Sequence, residues 1–268
     1  MHAIVLSKKG FREFDQITTL YTRDKGKLEL LSRGIKKIVS KQAAYLLPFS
    51  FVEAEIVSGQ EIDHLIRTQP IELFKKIRGD LKKSLLADYI VKLVDQLVPV
   101  GEKDERIFEL LISILNFIEH SDALGENIVL SFMAKLLRLL GFVPVLDRCV
   151  VCGKTLSLPL PEGELEGVGV PVSATPPSLP LVRGGNLRFS PSAGGIMCET
   201  DKLQTKRNEI LVSVNLSDVK DFSLLYAEWD QVNQALVSQV VKDSLHQFMT
   251  YQTERKVPNW FEISKTLA

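Results

Sequence analysis

The spacing of hydrophobic residues changes once along the chain, near Pro70, and this change constrains the fold more than any other feature of the sequence. Before that point, short apolar runs alternate with turn residues, which is the pattern of β-strands. Gly26 can adopt a positive φ without strain, so it marks the turn between the second and third runs. Short strands this closely spaced predict a small closed barrel. The predicted strands are Ala3–Leu6, Ile17–Tyr21, Leu28–Leu31, Phe49–Val57 and Ile62–Ile66.

After that point, apolar residues recur every three or four positions, as they do in helices that pack one face on a core. The series Leu81–Leu97 predicts a first helix, and Asp104 is placed to cap a second. A third helix is expected to end at Gly141. A last helix is expected to start at Ser217, its N-cap, and to continue through Val240.

Residues 155–197 lack any periodicity and contain seven of the twelve prolines and seven of the sixteen glycines. This composition predicts an extended, partly mobile loop. Because the loop lies before the last helix, it splits the predicted helical domain.

The cysteines suggest a metal site next to this loop. Cys149 and Cys152 are separated by two residues and followed by a glycine, as in one half of a zinc knuckle. The second half would contain Cys198 and Asp201, with aspartate where another cysteine is expected. Three thiolates and a carboxylate can ligate zinc, although structural sites favour Cys and His. The alternative is a vestigial finger whose thiols are packed or free.

Together these patterns predict an α+β protein. Residues 1–75 would form a five-stranded OB-fold barrel, the commonest barrel of this size. Residues 76–148 and 202–268 would form an all-helical domain. Residues 149–201 would interrupt it as a zinc-finger-like, Pro/Gly-rich insertion with a long loop.

Basic side chains concentrate in the first 45 residues, where ten Lys and Arg oppose four acidic residues although the whole chain has no net charge. Clustered cations attract phosphates and gain affinity by releasing counterions, so a polyanion partner is indicated. The alternative is a solvated strand face that is basic without function. The candidate DNA contacts are Lys8, Lys9, Arg12, Lys25, Lys27, Arg33, Lys36, Lys37 and Lys41.

Aromatic residues of the same segment could stack on bases. Because aromatics in a small barrel usually fill its core, we expect at most one or two to be exposed and assign DNA contact to the charges. The candidates are Phe11, Phe14, Tyr21, Tyr45 and Phe51.

The overall composition, 45% hydrophobic and 25% charged, is that of an ordinary globular protein. The apolar run at the start is too brief for a signal peptide, and no run approaches the roughly 18 apolar residues of a membrane helix. A cytoplasmic location is expected.

Several segments, taken in order, resemble one protein family. They are Ala3–Leu6, Asp15–Lys27, Arg33–Lys37 with Ser40, Leu47–Phe49, Leu139–Phe142, Cys149 with Cys152, and Phe189–Cys198 with its two adjacent glycines. In this order they resemble the bacterial RecO family of recombination mediators, over nearly the whole chain. The resemblance implies an N-terminal OB-fold and a helical domain carrying a zinc finger.

The resemblance also implies a function in DNA repair and homologous recombination. Members of such a family bind single- and double-stranded DNA, anneal complementary strands and, with RecR, help to load RecA onto DNA coated by single-stranded-DNA-binding protein. Association with the nucleoid would follow. The acidic, hydrophobic tail of the coating protein would need an apolar groove with a cation at its rim. Lys135 and Arg138 are candidates, unless they are only the solvated edge of a core helix.

The sequence has no phosphate-binding loop, nucleophile elbow or HExxH pair, so we expect no enzymatic activity. Two alternatives remain. One is a zinc-dependent hydrolase in which Asp201 or water completes a site made by the three cysteines. The other is a protein-interaction scaffold whose basic barrel is incidental.

Overall fold

The first five strands of the computed structural model close into a barrel. Their order around it is β1-β2-β3-β5-β4, and neighbours are antiparallel except for the parallel pair β3 and β5. This mixed barrel confirms the predicted OB-fold architecture. Gly26 has φ 68°, which confirms the predicted hairpin turn. The strands are β1 (His2–Gly10), β2 (Gln16–Thr22), β3 (Gly26–Ser32), β4 (Phe51–Val57) and β5 (His64–Glu72).

The structure describes residues 1–37, 40–155, 187–198 and 211–265. A short 3-10 helix, Lys41–Ala44, lies between β3 and β4. After the barrel come helices α1 (Lys75–Gly79), α2 (Leu81–Leu97), α3 (Glu105–His120), α4 (Asn127–Leu139), α5 (Leu216–Leu224), α6 (Trp229–Gln234), α7 (Gln239–Thr253) and α8 (Trp260–Lys265). Strands β6 (Leu187–Ser190), β7 (Gly195–Cys198) and β8 (Val212–Val214) form a small sheet. The prediction of an α+β protein is therefore confirmed.

The helix boundaries follow local chemistry. The Asp104 side chain accepts from Arg106 N at the start of α3, as predicted. Gly141 has φ 87° just after α4, and α2 ends at Leu97, before Pro99.

The chain divides into two compact units. One consists of Met1–Gly141, Leu225–Ala235 and Arg255–Ala268, and the other of Phe142–Leu224 and Leu236–Glu254. The barrel, in the first unit, has a cluster of buried hydrophobic residues as its core. It contains Ala3, Val5, Leu20, Leu30, Ile35, Leu46, Val52, Ala54 and Leu65.

In the second unit, the Phe189 ring of β6 stacks on Phe222 of α5 at 5.3 Å and meets the edge of Phe248 of α7 at 6.1 Å. These contacts fix the small sheet against two helices of its own unit.

Two sequence predictions were wrong. The helix expected from Ser217 through Val240 is instead three helices, α5, α6 and the start of α7. Capping residues start separate helices within this segment. Asn215 and Asp218 each accept a hydrogen bond from the other's backbone N–H at the start of α5. The Ser238 side chain accepts from Val241 N at the start of α7. Residues 187–197, expected to belong to a loop, form the β6–β7 hairpin. The rest of that predicted loop, residues 156–186, lies outside the described residues.

Among the described residues, none of the helices combines the length and the hydrophobicity that a membrane span requires.

Candidate functional site

At one end of the barrel, the loop between β1 and β2 meets the turn that follows β3. Asp15 Oδ1 accepts from Gly34 N at 2.8 Å, and Phe14 O accepts from Lys36 N at 3.1 Å. Lys36 Nζ donates to Arg12 O at 3.0 Å. Gly34 has φ 63°, a conformation that favours glycine, so the turn can fold back on the loop. Two segments that lie about twenty residues apart therefore form one surface.

Six of the nine predicted DNA contacts lie at this end, and all six side chains are exposed. They are Lys8, Lys9, Arg12, Arg33, Lys36 and Lys37, and we call them the cationic end of the barrel. The nearby acids are fewer. Glu13 is exposed on the same loop, and Asp15 is engaged by Gly34 N. A surplus of positive charge remains, which suits a phosphate backbone.

Two aromatic rings lie among these cations. Phe11 is 52% exposed and Phe14 is 44% exposed, whereas Tyr21 is fully buried. Tyr45 and Phe51 are partly buried. Exposure of at most two rings agrees with the sequence-based expectation, but the pattern alone did not indicate which two.

Lys25 and Lys27 lie at the opposite end of strands β2 and β3, in the hairpin turn. Six residue steps along β3 separate Gly26 from Ser32, about 20 Å at the usual rise of a strand. The sequence groups these lysines with the other candidate DNA contacts as one cationic surface. The structure does not bring the two groups together.

Lys27 is also buried, with 6% exposure. Its Nζ lies 3.0 Å from Asp95 Oδ1 and donates to the carbonyls of Asp95 and Val98 in α2 and just beyond it. A lysine engaged in this way is not available to a phosphate. The prediction that Lys27 contacts DNA does not fit this environment, because the basic hairpin pattern gave no sign of the helix that covers it.

The hairpin turn packs closely on the loop between α2 and α3. A Cβ added at Gly26 would lie 1.9 Å from Glu102 O, and Lys27 O accepts from Gly101 N at 2.8 Å. Tyr21 donates its hydroxyl to Asp104 O at 3.0 Å, and burial raises the pKa of Tyr21 to about 12. Arg23 pairs with Glu105 and Glu109 of α3. This end of the barrel is therefore a structural junction within the first unit.

Lys41, the ninth predicted contact, begins the short 3-10 helix. The next residue anchors that helix to the barrel, because Gln42 Oε1 accepts from Thr68 N at 3.1 Å.

The three cysteines converge in the second unit. Their sulfur atoms all lie within 4.8 Å of one another, and Cys152 Sγ is 3.8 Å from Cys198 Sγ. The knuckle is closed by Gly153, which has φ 72° and donates its N–H to Cys149 O at 3.0 Å. The N–H groups of Val151 and Cys198 point at Cys149 Sγ, each at 3.4 Å. Cys152 and Cys198, which are 46 residues apart in the sequence, are thus brought together.

This arrangement fits a metal with thiolate ligands. Zinc bound tetrahedrally with Zn–S distances of about 2.3 Å separates its sulfurs by about 3.8 Å. Burial opposes ionisation of Cys149, but backbone N–H donors outweigh it and lower the pKa of that thiol. Burial and the other two thiols raise the pKa of Cys198 to about 12. A bound cation would favour the thiolate form of every cysteine, so the three thiols would no longer oppose one another's ionisation. Asp201, the fourth predicted ligand, lies outside the described residues.

Lys135 and Arg138, proposed at the rim of a peptide groove, are both engaged with residues near α6. Lys135 Nζ donates to Ala227 O at 2.7 Å and lies 3.5 Å from the centre of the Trp229 ring. Burial lowers the pKa of Lys135 to about 8. Arg138 lies over the Tyr226 ring at 5.7 Å. Lys135 is therefore part of the packing between α4 and the start of α6.

Comparison with known proteins gives consistent matches along the chain. Residues 1–74 match the family described as Recombination protein O N terminal, and residues 78–169 match Recombination protein O C terminal. A DNA repair protein RecO from Symbiobacterium thermophilum is 32% identical over 195 residues, which cover 73% of this chain and 68% of that protein. One from Desulforamulus reducens is 29% identical over 262 residues, covering 96% and 90%. One from Alkaliphilus metalliredigens is 25% identical over 271 residues, covering 98% and 97%.

Proposed function

Because this chain belongs to the RecO family of DNA repair and recombination proteins, we propose that it binds single- and double-stranded DNA through the cationic end of its barrel. We further propose that it anneals complementary strands and, with RecR, loads RecA onto DNA coated by single-stranded-DNA-binding protein. The same proposal divides the chain into a DNA-binding domain at residues 1–75, a helical domain and an inserted zinc finger. Membership in this family of non-catalytic mediators agrees with the expectation that the chain is not an enzyme.

The observation that carries the proposal is the clustering of six exposed cations at one end of the barrel. Annealing requires positive charge between two phosphate backbones, because their repulsion otherwise keeps the strands apart. It also requires a grip loose enough for bases to find their partners. Lys and Arg side chains on loops meet both needs, since they attract phosphates without reading sequence.

The proposed DNA surface differs from the nine-residue prediction in two respects. Lys27 is left out because its Nζ is held by α2. Lys25 is retained only as a secondary contact, because it lies in the turn at the far end of the hairpin. Lys41 stays a proposed contact.

For the second unit we propose that Cys149, Cys152 and Cys198 hold a zinc ion, with Asp201 as the fourth ligand. When bound, such an ion would cross-link the knuckle to β7 and supply a structural rather than a catalytic element. The three converging sulfurs support this proposal.

The C-terminal tail of single-stranded-DNA-binding protein remains the proposed protein partner of the helical region. We favour Arg138 of the two suggested contacts, because the Lys135 ammonium already donates to Ala227 O and lies on the Trp229 ring. A role on DNA would place the protein at the nucleoid in the cytoplasm.

The DNA proposal is tested by the double variant Lys36→Ala/Lys37→Ala. The slope of log affinity against log salt should fall by about 0.7 to 0.9 for each cation removed, and annealing should slow. Both side chains are exposed, so the free energy of unfolding should change little, although the variant also removes the hydrogen bond from Lys36 Nζ to Arg12 O. Lys75→Ala/Lys76→Ala, also exposed and equal in charge change, is the matched control. An effect of the control alone would move the DNA surface to α1.

A further inference from the structure

The exposed rings of the cationic end have no role in the charge-based proposal. Phe11 is 52% exposed and Phe14 is 44% exposed. Building on the proposed DNA binding, we propose that these two rings stack on the bases of unpaired nucleotides. The cationic end would then distinguish single strands from duplex, which charge alone cannot do.

The rings are carried by an anchored loop. The N–H groups of Phe11 and Arg12 donate to Asp15 O at 3.2 and 3.4 Å, which closes a tight turn. Lys36 ties this turn to the segment after β3 through Phe14 O and Arg12 O. A large apolar side chain held in water forgoes the stabilisation of burial. Two such side chains on one tied loop therefore indicate a surface that is covered when a partner binds.

Each ring has a cation beside it. The guanidinium of Arg12 lies 5.0 Å from the centre of the Phe11 ring, and Lys37 Nζ lies 5.9 Å from that of Phe14. Proteins that bind single strands without sequence preference combine aromatic rings, on which bases stack, with cations that follow the backbone. A phosphate paired with Arg12 or Lys37 would bring its own base close to the neighbouring ring.

The local charge favours an anionic partner over a neutral or cationic one. Six exposed cations lie at the same end of the barrel as the two rings, and Asp15 is engaged by Gly34 N, which leaves Glu13 as the exposed acid of the loop. Unpaired nucleotides supply both an anion and an aromatic face at short spacing. In a duplex each base is already covered by its neighbours, so the rings gain nothing from it.

The test varies the protein and the ligand together, in the manner of a double-mutant cycle. Phe11→Ala/Phe14→Ala is compared with the wild type for binding to labelled oligothymidine, to an abasic strand of equal length and to a duplex. Oligothymidine affinity should fall at least about tenfold, because the loss of even one base stack of about 1.4 kcal/mol corresponds to this factor. Affinities for the abasic strand and the duplex, and the salt slope for each, should stay unchanged. The difference isolates ring–base coupling.

Two further variants sharpen the test. Phe11→Leu/Phe14→Leu keeps apolar bulk without a ring and should lose oligothymidine affinity like the alanine variant. Phe14→Trp should retain affinity. The fluorescence of the new indole should be quenched when a base stacks on it, whereas Trp229 and Trp260 are buried and should give a constant background.

Equal losses on all three probes would overturn the proposal, because the rings would then only position the cations. No loss on oligothymidine would also overturn it. Binding of phosphatidylserine vesicles that depends on the rings, with unchanged DNA affinity, would assign the patch to a lipid surface instead. Failure of DNA binding itself is recognised separately, since Lys36→Ala/Lys37→Ala would then leave every probe unaffected.

Discussion

Lys27 Nζ, on the second barrel hairpin, lies 3.0 Å from Asp95 Oδ1, near the end of α2, and is almost completely buried there. The same ammonium also donates to the carbonyls of Asp95 and Val98. A lysine in a basic turn thus serves the junction between barrel and helices within the first unit.

Removing this charge should destabilise the protein without weakening its DNA contacts. Lys27→Met leaves Asp95 without its partner, and we expect a loss of about 3 kcal/mol, near the low end for a broken buried pair because Asp95 keeps some solvent contact. Urea unfolding measures this loss of unfolding free energy. The control is Lys25→Met in the same turn, which alters an exposed side chain and should change stability by less than about 0.5 kcal/mol. Lys27→Met/Asp95→Leu should recover part of the loss. Equal effects of the two single variants would contradict the assignment.

Tyr21 predicts a loss of stability at alkaline pH. Its pKa is about 12 in the folded protein, mainly because the phenol is buried, against 10.0 for the ordinary side chain. The unfolded state therefore loses its proton first, and stability should fall as pH rises from about 10 to about 12. Tyr21→Phe should make this fall less steep, measured by urea unfolding at a series of pH values. Tyr89 and Tyr226, whose pKa is also raised by burial, should account for the rest. Tyr251→Phe, which alters an exposed tyrosine, should leave it unchanged.

The metal proposal predicts weakly held zinc. If Asp201 replaces a fourth thiolate, a mild chelator should remove the ion without global unfolding, because the barrel has a core of its own. Metal content measured beside the circular dichroism spectrum checks both parts. Asp201→Cys should slow zinc loss, and Cys198→Ser should abolish stoichiometric binding. Zinc in the wild type that resists strong chelators would contradict the prediction.

The contacts of the Arg78 guanidinium predict that lysine cannot replace this residue without a loss of stability. Its guanidinium donates to Leu73 O, Pro48 O and Ser50 Oγ, and it lies 4.2 Å from the centre of the Phe49 ring. An ammonium cannot reproduce this planar set of donors, so Arg78→Lys should cost about 1 to 2 kcal/mol. Lys75→Arg, at an exposed position of the same short helix, is the control for thermal unfolding. Equal melting temperatures for Arg78→Lys and the wild type would show that the guanidinium hydrogen bonds do not stabilise α1.

The sequence predicted what depends on local pattern. Alternation defined the barrel strands, Gly26 and Gly141 defined a turn and a helix end, and the cysteine pattern identified three side chains that meet in space. It could not predict the burial of Lys27, because the helix that covers this side chain comes 68 residues later. The continuous last helix was wrong for a related reason. Apolar spacing continued to Leu236, yet that residue is 95% exposed, and the caps around it override the periodicity.

The close fit of Gly26 against Glu102 O also has a mechanical meaning. The hairpin turn is fixed to the helices at one end of β2 and β3, while the proposed DNA contacts occupy the other end. Tension from a DNA strand would therefore run along these two strands. Ladder hydrogen bonds lie perpendicular to such a pull, and both strands are held at the same turn. The two backbones would therefore carry the load, and the bonds would not open one at a time. If the cationic end binds DNA as proposed, the barrel would pass such a load to the helices of its unit without unzipping the hairpin.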